Sequence, residues 1–210
     1  MAASAMGLVA SASAALFCVT SPAMALDPRY PDWPCQQLKV PDISIAAVWA
    51  GPPIDPADKQ QLTDPKDADL VSRLAARRTP MEEARRLVNA FVTGSQAEKR
   101  AKANALFAGL FSVLDAQRAE VMNGIERFSR KEKAMADEIR ANTRKIQKLE
   151  DTQNGDRAEL DRLANQVAWQ TRIFEDRRKS TSYVCEVPVL IEKRLFELGR
   201  VIEEAATAEP

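Results

Sequence analysis

The chain contains no histidine and has few glycines and few aromatic residues. Without histidine, the protein lacks the commonest general base, the commonest transition-metal ligand and the commonest pH switch. The 30 basic and 30 acidic side chains balance, so no net charge favours nucleic acid or an anionic membrane as a partner. Scarce glycine and scarce aromatic residues are more typical of extended helices than of a sheet protein.

Motifs for catalysis or cofactor binding are also missing. The sequence has no glycine-rich phosphate loop, no Ser-His-Asp set, no zinc-ligand spacing and no Cys-x-x-Cys redox motif. Acidic residues are abundant, but they stand one helical turn from basic ones, as Glu126 does from Arg130, which is typical of solvated surface pairs. We therefore predict a protein that is not an enzyme, with no catalytic residue, no cofactor and no metal site.

The stretch from Met1 to Ala25 is predicted to be a signal peptide. It carries no charged side chain, is rich in alanine and serine, and ends in Ala23-Met24-Ala25, the small-x-small pattern of a secretory cleavage site. We expect a periplasmic or secreted mature protein that is not inserted in the membrane. The alternative is an uncleaved membrane anchor, since the segment lacks the usual initial Lys or Arg and is nearly long enough to span a bilayer.

Residues 26–63 are predicted to form a proline-rich extended strap, because prolines recur along them and break helices. Bulky apolar residues lie between the prolines, namely Tyr30, Trp33, Val40, Ile43, Ile45, Val48 and Trp49. Disordered linkers lack such residues, so we expect the strap to lie across the helices with its aromatic side chains as anchors. The alternative is a binding peptide for another protein.

Residues 64–94 are predicted to form two short helices. Asp64 followed by Pro65 is typical of an N-cap and a first helical residue. Thr79 with Glu82 matches a capping box for the second helix, which Gly94 would close.

Residues 95–206 are predicted to form a long antiparallel coiled-coil helical hairpin with its turn near 151–156, which makes the fold all-α. Apolar residues follow the 3-4 spacing of a coiled-coil seam, first at Phe107, Phe111, Leu114, Val121, Ile125, Phe128, Met135, Ile139, Ile146 and Leu149. The pattern resumes at Leu160, Leu163, Val167, Phe174, Val184, Ile191, Leu195, Leu198 and Ile202. Pro188 interrupts the return helix, and we expect a kinked but continuous helix, because the seam holds its phase across it.

Pairing positions whose numbers add up to about 309 brings the two seams together. This register places Glu132 opposite Arg177, so that two charged interruptions of the seam form an ion pair. Near the base of the hairpin, further apolar residues lie off the seam, including Val187, Val189, Leu190, Phe196 and Val201. A stripe that wide needs more than one partner, so we expect the short helices and the strap to cover it in a small helical base. The remaining half is predicted to project as a two-helix rod.

The two cysteines beyond the predicted signal peptide, Cys35 and Cys185, are predicted to form a disulfide in an exported protein. It would tie the strap to the return helix, level with Gly124, where the missing side chain would leave room.

Trp169 and Ile173 are apolar residues on the predicted rod that the seam does not require, and we take them as a candidate partner contact. The sequence favours an exported, non-catalytic coiled-coil interaction or scaffold protein of the periplasm or cell envelope. Its partners would be envelope proteins or a second copy bound through the hairpin. The alternative is a periplasmic holdase-type chaperone that binds apolar clients along the hairpin.

If the first segment is a signal peptide, the mature protein begins at Leu26. Intact-mass analysis of the protein from the cell that produces it is expected to show loss of the residues from Met1 to Ala25. A full-length cytoplasmic product would contradict both export and the oxidising compartment that the disulfide requires.

Overall fold

The computed structural model describes residues 27–55, 58, 62, 64–152 and 155–208. This part of the chain contains no strand and five helices: α1 (Ile45–Val48), α2 (Pro65–Ala75), α3 (Met81–Phe91), α4 (Gln96–Glu150) and α5 (Arg157–Thr207). The two long helices α4 and α5 pack against each other, which confirms the predicted all-α hairpin. The predicted signal peptide and Asn154 of the predicted turn lie outside the described residues.

Polar side chains cap three of the helix starts, and the cap at Asp64 is the one predicted above. The Asp64 carboxylate accepts a hydrogen bond from the Lys66 amide at 2.8 Å. Ser95 and Glu98 form a reciprocal capping box at the start of α4. Asp156 accepts hydrogen bonds from the first free amides of α5. These interactions satisfy donors that have no partner inside the helix, so each start is determined by adjacent residues.

The start of α3 differs from the predicted capping box. Pro80 is the N-cap residue, and no side chain caps this helix. The Thr79 hydroxyl instead donates to the Arg73 carbonyl at 2.7 Å, because it lies next to this carbonyl in the last turn of α2. The helix ends at Phe91, and Gly94 has a φ of 114°, a conformation that favours glycine.

The strap was predicted to be extended, but α1 forms one helical turn within it. No proline interrupts the stretch between Pro41 and Pro52, and the Trp49 amide can therefore donate to the Ile45 carbonyl at 2.9 Å. Trp33 and Trp49 are both buried.

The core of the base lies where α1, α2 and α3 pack around the lower halves of α4 and α5. The Trp49 ring stacks on the Phe107 ring with centroids 4.4 Å apart. The fully buried side chains of this core include Leu74, Val88, Leu106, Phe107, Leu110, Leu114, Leu195, Leu198 and Ile202. The strap and both short helices therefore complete a core that the two long helices alone would leave open.

Helix α5 continues through Pro188, as predicted. The prediction that Val184 lies in the seam is wrong, since this residue is exposed, whereas Cys185 and Pro188 are buried. The strap covers α5 beside Cys185 and is joined to that residue by a disulfide. The position of the strap, rather than the heptad pattern, therefore decides which residues of α5 are buried at this level.

The rod is packed much more thinly than the base. Between residues 129 and 179, the buried residues in the described part are Leu163 and the polar Ser129, Asn142 and Gln170. Polar residues in a seam specify register at a cost in stability. The rod thus has little apolar packing of its own.

Gly199 is required where α1 approaches α5. A Cβ atom there would lie 2.7 Å from the Val48 carbonyl oxygen and 3.0 Å from Phe107 Cε2. We expect Gly199→Ala to lower the free energy of unfolding by about 1–3 kcal/mol, measured by urea denaturation, because the core is already filled.

Gly124→Ala is the matched control. A Cβ at Gly124 would meet only Arg127 Nη2, at 3.8 Å, so this glycine does not make room for the strap as predicted. The substitution should stabilise the helix by about 0.5–1 kcal/mol. Equal effects of the two substitutions would contradict the close approach at Gly199.

Candidate functional site

The strap is tied to α5 by a disulfide between Cys35 and Cys185. Their Cα atoms are 5.6 Å apart, and 150 positions separate them in the chain. Gln37 adds a hydrogen bond from its side-chain amide to the Cys185 carbonyl. A disulfide is compatible with an oxidising compartment.

The buried guanidinium of Arg118 joins the strap to both long helices. It donates to the strap carbonyls of Val40 at 2.5 Å and Pro41 at 3.0 Å. Its Nε lies 2.6 Å from a carboxylate oxygen of Glu192 on α5. In the sequence, Arg118 fills the gap between Leu114 and Val121 in the apolar series of α4. A cation within an apolar series was the signal in the sequence that acceptors from other segments must pair with it.

Three further ion pairs hold the strap on α4. Lys39 lies 2.6 Å from Glu126, with both side chains largely buried. At the start of the strap, Asp32 lies 2.9 Å from Lys133 and 3.3 Å from Arg130. Hydrogen bonds, chiefly from Lys133, hold the pKa of Asp32 below its ordinary value of 3.8. This contact therefore contributes at neutral pH and is lost only as the pH falls through the lowered pKa.

The charged residues predicted to meet in the seam lie at its edge. Arg177 Nη1 is 3.2 Å from Glu132 Oε1. Only 12% of the Glu132 side chain is exposed, against 45% for Arg177. The second oxygen, Glu132 Oε2, is buried and has no hydrogen-bond partner in the described part of the chain. The pair is thus asymmetric, with a carboxylate that depends on its partner and an arginine that solvent can hydrate.

An open groove of about 610 Å³ lies beside the disulfide. Its lining combines strap residues with both long helices and includes Cys35, Gln37, Phe128, Glu132, Phe174, Thr181 and Cys185. Apolar rings, hydroxyls and charges of both signs are mixed here, so the groove does not select one class of ligand.

Trp169 is the most conspicuous apolar residue of the rod, with 64% of its surface exposed. Ile173, one turn further along α5, is half-buried. Trp169 thus contributes little to the packing between α4 and α5. A large exposed apolar side chain on a projecting arm is available for contact with another molecule.

The base leaves more apolar surface uncovered than predicted. Val189, Leu190 and Phe196 were expected to lie under the strap and short helices, but each is about half exposed. Phe196 lines an open groove with strap residue Val40, because the strap crosses α5 beside these residues without lying on them. Tyr183, which sequence reasoning did not single out, has 73% of its surface exposed.

The asymmetry of the pair predicts unequal costs of removing its members. Arg177→Leu leaves the buried carboxylate of Glu132 unpaired and should lower the free energy of unfolding by about 2 kcal/mol. Glu132→Leu leaves an arginine that water can hydrate, and should cost less than Arg177→Leu. The double variant should recover much of the loss, as measured by urea denaturation.

Arg178→Leu is the matched control, because this neighbouring arginine is exposed and forms no ion pair with any residue that the structure describes. It should leave the unfolding free energy nearly unchanged. If the two single losses simply add in the double variant, the residues are not coupled and the predicted register is wrong.

Among the described residues, no group of three or more His, Cys, Asp or Glu side chains is arranged to hold a metal ion. None of the described helices is both long and apolar enough to cross a membrane. Comparisons with protein-family models, curated proteins and solved structures gave no match. What the protein does must therefore be inferred from the surface of the chain itself.

Proposed function

We propose that this protein is an exported, non-catalytic interaction or scaffold protein whose hairpin rod docks a protein partner in the periplasm or cell envelope. The observation that carries the proposal is the exposure of Trp169 on a thin rod. Tryptophan is enriched at the centres of binding surfaces, and this one is not needed for packing within the chain.

The base supports this role because it holds one end of the rod in a packed helical core. The strap, the disulfide and the buried Arg118 network join three distant segments of the chain below the rod. A contact surface on a rigid element loses less conformational entropy on binding than one on a loop. Export is supported by the uncharged first segment and by the disulfide.

A periplasmic holdase-type chaperone is the second candidate. It is favoured by the spread of exposed apolar residues along α5, from Trp169 to Phe196. Such a protein would hold many unfolded clients weakly. Crosslinking in the native cell followed by pulldown distinguishes the two, because a scaffold yields one dominant partner and a holdase yields many clients.

Trp169→Ala is expected to weaken binding to the dominant partner by about 2 kcal/mol, or about 30-fold in Kd. The melting temperature and helical circular dichroism should remain nearly unchanged, since the side chain is mostly exposed. Calorimetric titration of the purified partner would provide the measurement.

Trp49→Ala serves as the control, because Trp49 is buried against Phe107 in the base. It should lower the melting temperature while the folded fraction still binds with normal affinity. If Trp169→Ala instead lowers the melting temperature and leaves binding intact, Trp169 is a packing residue and the docking proposal fails.

A further inference from the structure

One face of α5 carries a single uninterrupted series of residues that runs from the rod into the base. Alternating steps of four and three positions connect Trp169, Ile173, Asp176, Ser180, Tyr183, Val187, Leu190, Arg194, Glu197, Val201 and Glu204. This spacing aligns side chains along one side of a helix. We call the stretch from Trp169 to Leu190 the upper stripe and the stretch from Arg194 to Glu204 the lower stripe.

The lower stripe is already a helix-binding surface within this chain, because α3 lies on it. Arg85 of α3 forms an ion pair with Glu204. Arg194 Nη1 lies 3.9 Å from the Met81 sulfur at the start of α3. Val201 lines a small groove together with these two α3 residues. The face therefore has a spacing that accommodates a second helix beside α4.

The upper stripe has the same spacing but, from Leu190 towards the rod tip, it is largely uncovered. Exposed fractions are 64% for Trp169, 73% for Tyr183 and 45% for Leu190. Val187 marks the border, since it is half-buried against the core of the base. From Trp169 to Leu190 the stripe is about 32 Å long, at 1.5 Å per residue.

We propose that an amphipathic helix of another protein binds along the upper stripe, end to end with α3 and in line with it. This inference rests on the proposed docking function and names the class of partner. The partner helix is apolar towards both ends, where it meets Trp169 and Ile173 or Tyr183 and Leu190. It is polar in the middle, where it meets Asp176 and Ser180, because an apolar residue there would desolvate the carboxylate.

A second copy of this chain does not fit the upper stripe. In an antiparallel arrangement that matches Trp169 with Leu190 of the second copy, the second rod tip would run over the lower stripe, which α3 occupies. In a parallel arrangement, the two α3 helices would meet first. A helix layer is about 8–10 Å thick, so either arrangement keeps the two upper stripes apart. A single helix of limited length meets no such obstacle.

The experiment places the photocrosslinker benzoylphenylalanine at Ser180 of the full chain in its native cell. We expect one dominant partner, attached through a single segment whose apolar residues recur at steps of three and four. The same protein with Leu190→Ser should lose crosslinking at least about tenfold, as should the protein with Trp169→Ala. A second variant, Tyr183→Ser, should behave as Leu190→Ser does. Normal melting temperatures would show that the variants are folded.

Phe196→Ser is the matched control, since Phe196 is as exposed as Leu190, at 48%, but lies off the series. It should leave crosslinking unchanged. If Trp169→Ala abolishes crosslinking while Leu190→Ser and Tyr183→Ser do not, the contact is confined to the rod tip, and the stripe is overturned although the docking function survives. If none of the three substitutions matters, both fail. Attachment to a second copy, or to many unrelated segments, would also overturn the stripe.

Discussion

The base depends on one constraint, which is that the buried guanidinium of Arg118 must find hydrogen-bond acceptors. A buried cation is stable only where enough acceptors surround it, and here these come from two strap carbonyls and from Glu192 of α5. The strap acceptors lie 77 and 78 positions before Arg118 in the chain, and Glu192 lies 74 positions after it. The strap must therefore cross the hairpin at one level, and α4 and α5 must meet in one register, for the charge to be paired.

The rest of the base follows from where Arg118 holds the strap. On one side, the strap reaches Cys185 through Cys35 and buries Trp33 against Met122 and Ile125. On the other side, α1 comes close to α5, where Gly199 leaves space for a backbone carbonyl. Side chains in the base are therefore covered from several sides, whereas the rod has only a narrow seam between two helices, with polar residues in it. A rod of that kind gains stability from an external partner more readily than a filled core does.

Helix caps that depend on neighbouring residues were mostly predictable, whereas contacts between distant segments were less so. The caps at Asp64, Ser95 and Asp156 were predictable because each is a hydrogen bond within a few residues. The failure at Thr79 has the opposite origin, since its hydroxyl bonds to the end of another helix. Of the candidate site, the exposure of Trp169 followed from its place outside the seam. The exposure of Tyr183 and Leu190 did not, because it depends on where the strap and the short helices cross α5.

By itself, the sequence determined helices α2 to α5, the antiparallel pairing of α4 with α5 and the register that sets Glu132 beside Arg177, because heptad spacing and capping are properties of contiguous residues. Only the tertiary structure decided which faces of those helices are covered. The heptad pattern states that a side chain lies on a given side of a helix, but whether that side meets a strap, a short helix or solvent depends on the path of segments far away in the chain. Val184 and Phe196 are exposed, and Arg118 is buried, for this reason.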